Sequence, residues 1–377
     1  MGGSVSGYFN YNPQIAENRW DRSTFVRNWW RIYAGDTRWA PPHYALLRKM
    51  ANAADPFIAR QNPLLCSLEA FPGRRRTSGG MEFNQPAAIM DVPVAAAMVL
   101  SDPRRQDGTA YLSLLRCVND VESLERFVGV ALEQAAYLGR YRLVGPTGLS
   151  PHLGSGVLQD YFHVVPPLHT AYNPPYVPEV MESVLAPLQT QRLYHAVVPA
   201  ETPAAQGPAQ IVHLSTEACR KELIHLIVET FMADGEFPAP DTEEAAFLLR
   251  WLAAWPLTAW GAVVDGRLAG YAIVQPDLAA AAARARGGKS VLWRLWLAWR
   301  SARPVTAGRL LLGGVLPADR GRGIGRQLWG QAMHAAHAAG WRTLSAGPLP
   351  RMHPAARFLA ACGAEARQSY TVYASEF

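Results

Sequence analysis

Apolar residues in the second half of the chain recur with two spacings, one typical of strands and the other of helices. Alternating or continuous apolar runs predict strands at 210–215, 308–317, 341–348 and 367–377. Spacings of three and four residues predict helices at 218–235, 242–256, 324–339 and 353–363. Thr242 is the predicted N-cap of the second helix. Asp265 and Gly266 join two further strands within 259–274, as in a tight hairpin.

The first half shows a similar order of elements. A helix at 121–139 precedes a strand that ends in Gly145 and Pro146, and the strand at 341–348 ends in Gly347 and Pro348. This parallel predicts an internal repeat of α/β (α+β) class. Residues 199–210 are rich in Pro, Ala and Gly, which indicates a linker. We therefore predict two domains, 1–204 and 205–377, as expected for 377 residues.

Composition limits the class of protein. Hydrophobic residues make up 49% and charged residues 18%, which is typical of a well-packed chain. The net charge of +6 comes mostly from arginines that are spread along the chain without a run of five basic residues, which disfavours nucleic acid as a partner. No apolar run is long enough for an integral membrane segment, and the four isolated cysteines suggest no metal site. We expect a cytoplasmic protein with reduced thiols.

The segment LPADRGRGIGRQLWG, residues 316–330, follows a predicted strand and opens a predicted helix. Gly321, Gly323 and Gly325 are spaced unlike a dinucleotide-binding loop, because Arg326 stands where the third glycine of that motif belongs. The lysine of a nucleotide P-loop is also missing. A glycine turn at a helix N-terminus, flanked by Arg322 and Arg326, instead predicts a site for a phosphate-bearing ligand.

These residues resemble the GNAT acyltransferases. Arg320, Gly323 and Gly325 fit the signature Q/R-x-x-G-x-G/A, and residues 315–328 fit the longer form V-x-P-x-x-R-G-x-G-I-G-x-x-L. The resemblance covers about residues 209–377. It implies a mixed, mostly antiparallel sheet with splayed central strands flanked by helices, and acetyl-CoA (coenzyme A) as cofactor. It also implies a set of coenzyme-binding residues: Gly313, Gly314, Val315, Gly321, Arg322, Gly323, Ile324, Gly325 and Arg326.

The first half resembles a second, degenerate copy of the same fold. Residues 114–127 stand where the loop belongs, and they contain no glycine. Asp120 and Glu122 in that segment would repel a diphosphate. We therefore expect a GNAT-like first domain without the pyrophosphate loop, and one coenzyme site in the second domain.

The usual catalytic residues of the family are missing. Leu359 stands at the position of the usual tyrosine, and Gly347 at that of the usual acid. His353, at the start of a helix, is our candidate for the proton-transfer residue. Asp234, Glu236 and Asp241 could shape the acceptor site, although solvated loop acids are the simpler interpretation. The Trp-rich insertion 277–305 could be a lid, a subunit contact or a membrane-surface helix, but packing within the protein is favoured.

The resemblance implies an N-acetyltransferase that transfers acetyl from acetyl-CoA to an amine by direct attack in a ternary complex. The missing catalytic residues keep two alternatives open, namely a non-catalytic coenzyme-A-binding or interaction module and an O- or S-acyltransferase. The expected partner is a small-molecule or peptide amine, and a homodimer is left open. Because one fold hosts many acceptors, the sequence does not name the amine.

Overall fold

The computed structural model describes residues 9–72, 92–201, 206–215, 217–232 and 236–375. The elements of the first half are β1 (Phe9–Ile15), α1 (Arg19–Ile32), α2 (Tyr44–Ala51), α3 (Pro56–Ala59), β2 (Leu64–Pro72), β3 (Val92–Leu100), β4 (Thr109–Cys117), α4 (Val121–Tyr137), β5 (Arg142–Thr147), β6 (Val157–Leu158), α5 (Val177–Glu182) and β7 (Ala186–Val197). Those of the second half are β8 (Gln210–Leu214), α6 (Arg220–Thr230), α7 (Thr242–Leu252), β9 (Thr258–Val264), β10 (Arg267–Pro276), α8 (Ala279–Arg284), α9 (Val291–Ser301), β11 (Ala307–Val315), α10 (Ile324–Ala338), β12 (Thr343–Pro350), α11 (Pro354–Ala361) and β13 (Glu365–Ala374).

The predicted repeat is visible in the strand order. All the strands form one sheet in the order β1-β2-β3-β4-β5-β13-β7-β12-β11-β10-β9-β8, with β6 paired to β13. Strands β1 to β4 and β8 to β11 are antiparallel meanders. Each meander is followed by a parallel strand, β5 beside β4 and β12 beside β11. Both halves thus have the mixed, mostly antiparallel sheet that was expected.

The last strands of the two halves are exchanged. Strand β13 of the second half pairs with β5, whereas β7 of the first half pairs with β12. The two exchanged strands also pair with each other, from Glu365 opposite His195 to Ala374 opposite Ala186. The halves therefore share one continuous sheet, which the sequence did not predict. The boundary predicted between residues 204 and 205 lies outside the described residues.

Local sequence explains most of the second-half elements. Asp265 and Gly266 both have positive φ and form the predicted hairpin turn between β9 and β10. Helix α7 begins at Thr242, but its N-cap is Asp241, whose carboxylate accepts from the Glu244 N–H at 3.0 Å. The N-cap prediction was one residue off because Thr242 and Asp241 both suit the position.

The Trp-rich insertion has a buried part and an exposed part. Its first helix, α8, packs in a buried cluster with Leu168 and Trp255. Within α9 the buried residue is Leu297, whereas Trp299 is 54% exposed and Leu292 is 78% exposed. The expected packing within the protein therefore holds for α8 and is wrong for most of the apolar side chains of α9. None of the helices in the described ranges has the length and apolarity needed to span a bilayer.

Helix α7 fastens the second half to the first through a buried ion pair. Glu244 is fully buried, and its carboxylate accepts from Arg104 Nη2 at 2.6 Å and from Ser150 Oγ at 2.7 Å. Arg104 also pairs with the fully buried Asp102 at 2.6 Å. At the other end of the helix, Arg250 pairs with Asp55 at 2.8 Å.

Replacing Glu244 with alanine should lower the free energy of unfolding by about 3 kcal/mol, since it leaves the partly buried Arg104 without one of its two buried carboxylate partners. Chemical denaturation of the full chain measures this loss. Glu243 is the matched control, because its side chain is 51% exposed and pairs with Arg60 at 2.8 Å. Glu243→Ala should cost less than about 1 kcal/mol. Equal losses in the two variants would contradict the fastening role of Glu244.

Candidate functional site

The site is a cleft where the parallel strands β11 and β12 separate. Their pairing runs from Ala307 opposite Thr343 to Leu310 opposite Ala346, although β11 continues to Val315. Pro348, beyond the last pair, has no N–H with which to extend the ladder. A cavity of about 390 Å³ opens between the strands, and we call it the β11–β12 cleft. Residues 311–315 thus present backbone groups that do not pair with β12.

A glycine loop leads from the end of β11 to α10. Gly321 and Gly323 have φ of +78° and +86°, in the left-handed region that favours glycine. No atom lies within 4 Å of the position that a Cβ would take on either residue, so the loop is open on that side.

The N-terminus of α10 has no side-chain cap. Gly323 is the N-cap residue, and the first intrahelical bond runs from the Gln327 N–H to the Gly323 carbonyl at 3.1 Å. The N–H groups of residues 324–326 therefore point out of the helix end, where the helix dipole favours an anion. By contrast, Asp120 caps α4 in the first half by accepting from the Ser123 N–H at 2.8 Å.

Arginines surround the loop, and each has a different contact. Arg320 donates from Nε to the Val315 carbonyl and from Nη2 to the Thr230 carbonyl, both at 3.1 Å, and so ties the loop to β11 and α6. Arg322 donates to the buried Asp319 at 2.7 Å. The side chain of Arg326 is exposed. Arg320 thus shapes the loop, while Arg322 and Arg326 add positive charge beside it.

The predicted coenzyme residues divide into two groups. Gly313, Gly314, Val315 and Gly325 line the β11–β12 cleft. A second group lies on the loop and first turn next to the cleft, with exposed positions at Gly321, Arg322, Gly323 and Arg326.

Two of the predicted positions are constrained by their neighbours. The Ile324 side chain is buried with Leu328 in the core, so only its N–H can face the loop. A Cβ on Gly314 would lie 2.2 Å from Thr230 Oγ1, which requires glycine there.

His353 lines the cleft and also caps α11. Its Nδ1 accepts from the Ala355 N–H at 3.2 Å, and its Nε2 lies 3.4 Å from the Met232 carbonyl. Leu359 and Gly347, at the positions of the missing tyrosine and acid, line the same cleft. Apolar and backbone groups therefore replace the usual catalytic side chains.

The loop acids have structural contacts where the structure describes them. Asp241 caps α7 and pairs with Arg60 at 2.7 Å, and together these contacts lower the pKa of its carboxyl although burial opposes the shift. Glu236 uses its backbone carbonyl to accept from Arg105. Asp234 lies outside the described residues. Asp241 is thus a helix cap and an ion-pair partner, which differs from the solvated loop acid of the simpler interpretation.

Sequence reasoning missed the contribution of the first half to the cleft. Residues 151–155 and His169 line it although they are more than 100 residues from β11 in the chain. Arg309, buried in the same cleft, donates to the carbonyls of Leu168 and Gly347. Burial lowers the pKa of Arg309 to about 10 and that of His169 to about 3, so the imidazole stays neutral at pH 7. No local pattern in the sequence indicates these long-range contacts.

Comparison with known proteins gives a family for the second half. Residues 221–364 match the model of the acetyltransferase (GNAT) family. A search of the curated proteins gives no significant match.

Solved structures with similar folds cover nearly the whole chain. A tandem GNAT protein from the clavulanic acid biosynthesis pathway is 15% identical, with 98% of each chain covered and a TM-score of 0.55. A GCN5-related N-acetyltransferase from Sphaerobacter thermophilus is 12% identical over 97% of this chain and 95% of the other, with a TM-score of 0.50. A probable N-acyltransferase of unknown function from Enterococcus faecalis is 6% identical over 97% and 72%, with a TM-score of 0.54.

At these identities the structures establish the fold, and the family model covers the half that carries the glycine loop. The second half therefore matches the GNAT family over residues 221–364, and the chain has the fold of tandem GNAT proteins over nearly its whole length.

Proposed function

We propose that the protein is an acyl-CoA-dependent N-acyltransferase that transfers acetyl from acetyl-CoA to an amine by direct attack in a ternary complex. The observation that carries this proposal is the uncapped N-terminus of α10, which adjoins the unpaired edge of β11. Helix N-terminal N–H groups suit a diphosphate, and a free strand edge suits an extended amide chain. The GNAT family match over residues 221–364 supports the same assignment.

The residues present fit the coenzyme. The diphosphate would lie against the N–H groups of 321–326, with Arg322 and Arg326 beside it, and the pantetheine arm against Gly313, Gly314 and Val315. Bound there, acetyl-CoA supplies a thioester carbonyl for a neutral amine to attack, with the C–S bond breaking and the thiol leaving after protonation. The open space over Gly321 and Gly323 leaves their backbone accessible to the phosphate oxygens.

The proposed coenzyme site is in the second half alone. In the first half the Asp120 carboxylate accepts from the Ser123 N–H at the start of α4, which is where a diphosphate would have to bind. A second anion there would meet the like charge of that carboxylate.

His353 is the proposed proton-transfer residue. Among the histidines of the cleft, His169 is held neutral by burial, and His152 is buried with its Nε2 2.9 Å from the Pro238 carbonyl. The Nε2 of His353 lies 3.4 Å from the Met232 carbonyl, a longer contact than those of His152 and His169. This nitrogen can therefore exchange its protein partner for a substrate most easily. To accept a proton at Nδ1, the ring must first lose the hydrogen bond that Nδ1 accepts from the Ala355 N–H.

Two alternatives follow from the same residues. Leu359 and Gly347 supply neither a phenol nor an acid at the usual positions, although Tyr271 also lines the cleft, and this loss favours a non-catalytic coenzyme-A-binding or interaction module. An O- or S-acyltransferase would need the same cofactor with another acceptor.

Calorimetric titration with acetyl-CoA tests the proposed cofactor, and the absence of binding heat at millimolar ligand would overturn the coenzyme assignment. If the cofactor binds, thiol release over a panel of amines, alcohols and thiols separates the three functions.

Gly323→Val should weaken acetyl-CoA binding at least tenfold, about 1.4 kcal/mol, because a β-branched residue cannot hold the left-handed backbone before α10. Titration calorimetry measures the affinity. Gly340→Val is the matched control, since Gly340 has φ of +75° and open space at the other end of α10. Its binding should be unchanged, and an equal loss in both variants would show a folding effect instead of a loop effect.

His353→Asn should lower kcat about 100-fold or more, since asparagine keeps a cap acceptor for Ala355 but cannot transfer a proton near neutral pH. Initial rates of thiol release at saturating acetyl-CoA measure the change. His353→Ala, which loses both the cap and the imidazole, should lose the same activity and also some stability. A kcat within twofold of the parent in His353→Asn would assign His353 to capping alone.

A further inference from the structure

A second cavity, of about 130 Å³, lies in the first half where β4 and β5 separate. We call it the first-half cavity. Its walls include aromatic side chains from both halves, among them Trp29, Tyr33, Trp39, Trp251 and Trp255. Apolar walls with a few polar groups are typical of sites for small organic ligands.

Arg116 projects into this cavity as a buried cation. It is 7% exposed, and its guanidinium carbon lies 4.1 Å from the ring centre of Trp29 and 4.3 Å from those of Tyr33 and Trp39. Burial lowers the pKa of Arg116 to about 10, so it remains charged at neutral pH. The three rings stabilise the positive charge but offer its N–H groups no oxygen lone pair.

The guanidinium has hydrogen-bonding capacity that the protein does not use. Nε and Nη1 of Arg116 are buried without a partner, and no carboxylate in the described part of the chain pairs with it. An unpaired charge in such a place is costly, and most buried polar groups are satisfied. The two nitrogens donate on different edges of the planar group, so each has capacity for a separate oxygen acceptor.

Thr147, on the opposite strand β5, provides a second unused donor in the same cavity. Its Oγ1 is buried without a partner. Other polar groups of the wall are satisfied: Asn173 bonds both backbone groups of Leu158, and Ser150 donates to Glu244. The unfilled donors therefore belong to a cation and a hydroxyl residue that both line one cavity.

We propose that the first-half cavity binds a small monoanionic carboxylate with an apolar body. The carboxylate would accept from Arg116 and Thr147, and the body would pack on the tryptophans of the wall. A monoanion is favoured over phosphate because one buried cation neutralises one negative charge, whereas a dianion would leave net charge in an apolar site. This inference does not depend on the proposed acyl transfer.

The position of Arg116 in its strand shows how the two halves differ. Arg116 is the next-to-last residue of β4, as Gly314 is of β11. Two glycines leave the β11–β12 cleft open for an extended chain. A guanidinium instead closes the corresponding end of the first-half cavity and gives it one charged contact.

The test is calorimetric titration of the full chain, without coenzyme A, against acetate, butanoate, hexanoate, benzoate and 3-phenylpropanoate. Each acid is compared with its neutral amide, and inorganic phosphate is run alongside. We expect at least one carboxylate to bind, with its amide about tenfold weaker or more. Tryptophan fluorescence should change with the same affinity, since tryptophans form the wall.

Arg116→Met should abolish that binding, and Thr147→Val should weaken it several-fold. Arg126→Met is the matched control, because Arg126 also lies over an aromatic ring, 4.9 Å from that of Tyr11, but is 55% exposed. Its carboxylate affinity should equal that of the parent. If Arg116→Met does not fold, Thr147→Val decides the result.

Four results would overturn the proposal. They are no binding of any carboxylate at about 10 mM, amides that bind as tightly as their acids, phosphate that binds more tightly than every carboxylate, and unchanged affinity in Thr147→Val. None of these measurements uses acetyl-CoA, so failure here is distinct from failure of the proposed acyltransferase.

Discussion

The structure depends on the exchange of its two final strands. Strands β7 and β13 pair along most of their length, and each then completes the sheet of the half from which it does not come. Backbone N–H and carbonyl groups need partners, so separating the halves would leave two sheet edges bare. The two halves are therefore joined in one continuous sheet. The same exchange brings residues 151–155 and His169 of the first half to the wall of the β11–β12 cleft.

Both halves open a cleft in the same way, and a few residues decide what each can hold. The second half has Gly314 beside the cleft and an uncapped α10 that begins after Gly323. The first half has Arg116 in the corresponding strand and Asp120 on the N-terminus of α4. An open helix end and a strand lined by glycine suit a long polyanion. A capped helix end and a lone buried cation suit a short ligand with one negative charge.

Local signals predicted the parts of the site that are local in the chain. The strand, glycine loop and helix at 308–339 agree with β11 and α10 to within about two residues, because loop glycines and apolar spacing are read over short windows. The strand exchange, the Arg309 contact with Leu168 and the unused donors of Arg116 depend on residues far apart in sequence. The exposure of α9 was missed because the spacing of apolar residues in a helix is the same whether or not other elements of the protein pack over its apolar side chains.

The two cavities share part of one wall. Leu153, Gly154 and His169 line both the β11–β12 cleft and the first-half cavity. The wall is neutral, since burial keeps the His169 imidazole uncharged, and it is held by the contact between His169 Nε2 and Gln275 Oε1 at 3.0 Å. A ligand that displaces this wall from one side changes the space on the other. By linkage, any effect of one ligand on the affinity of the other must then be equal in both directions.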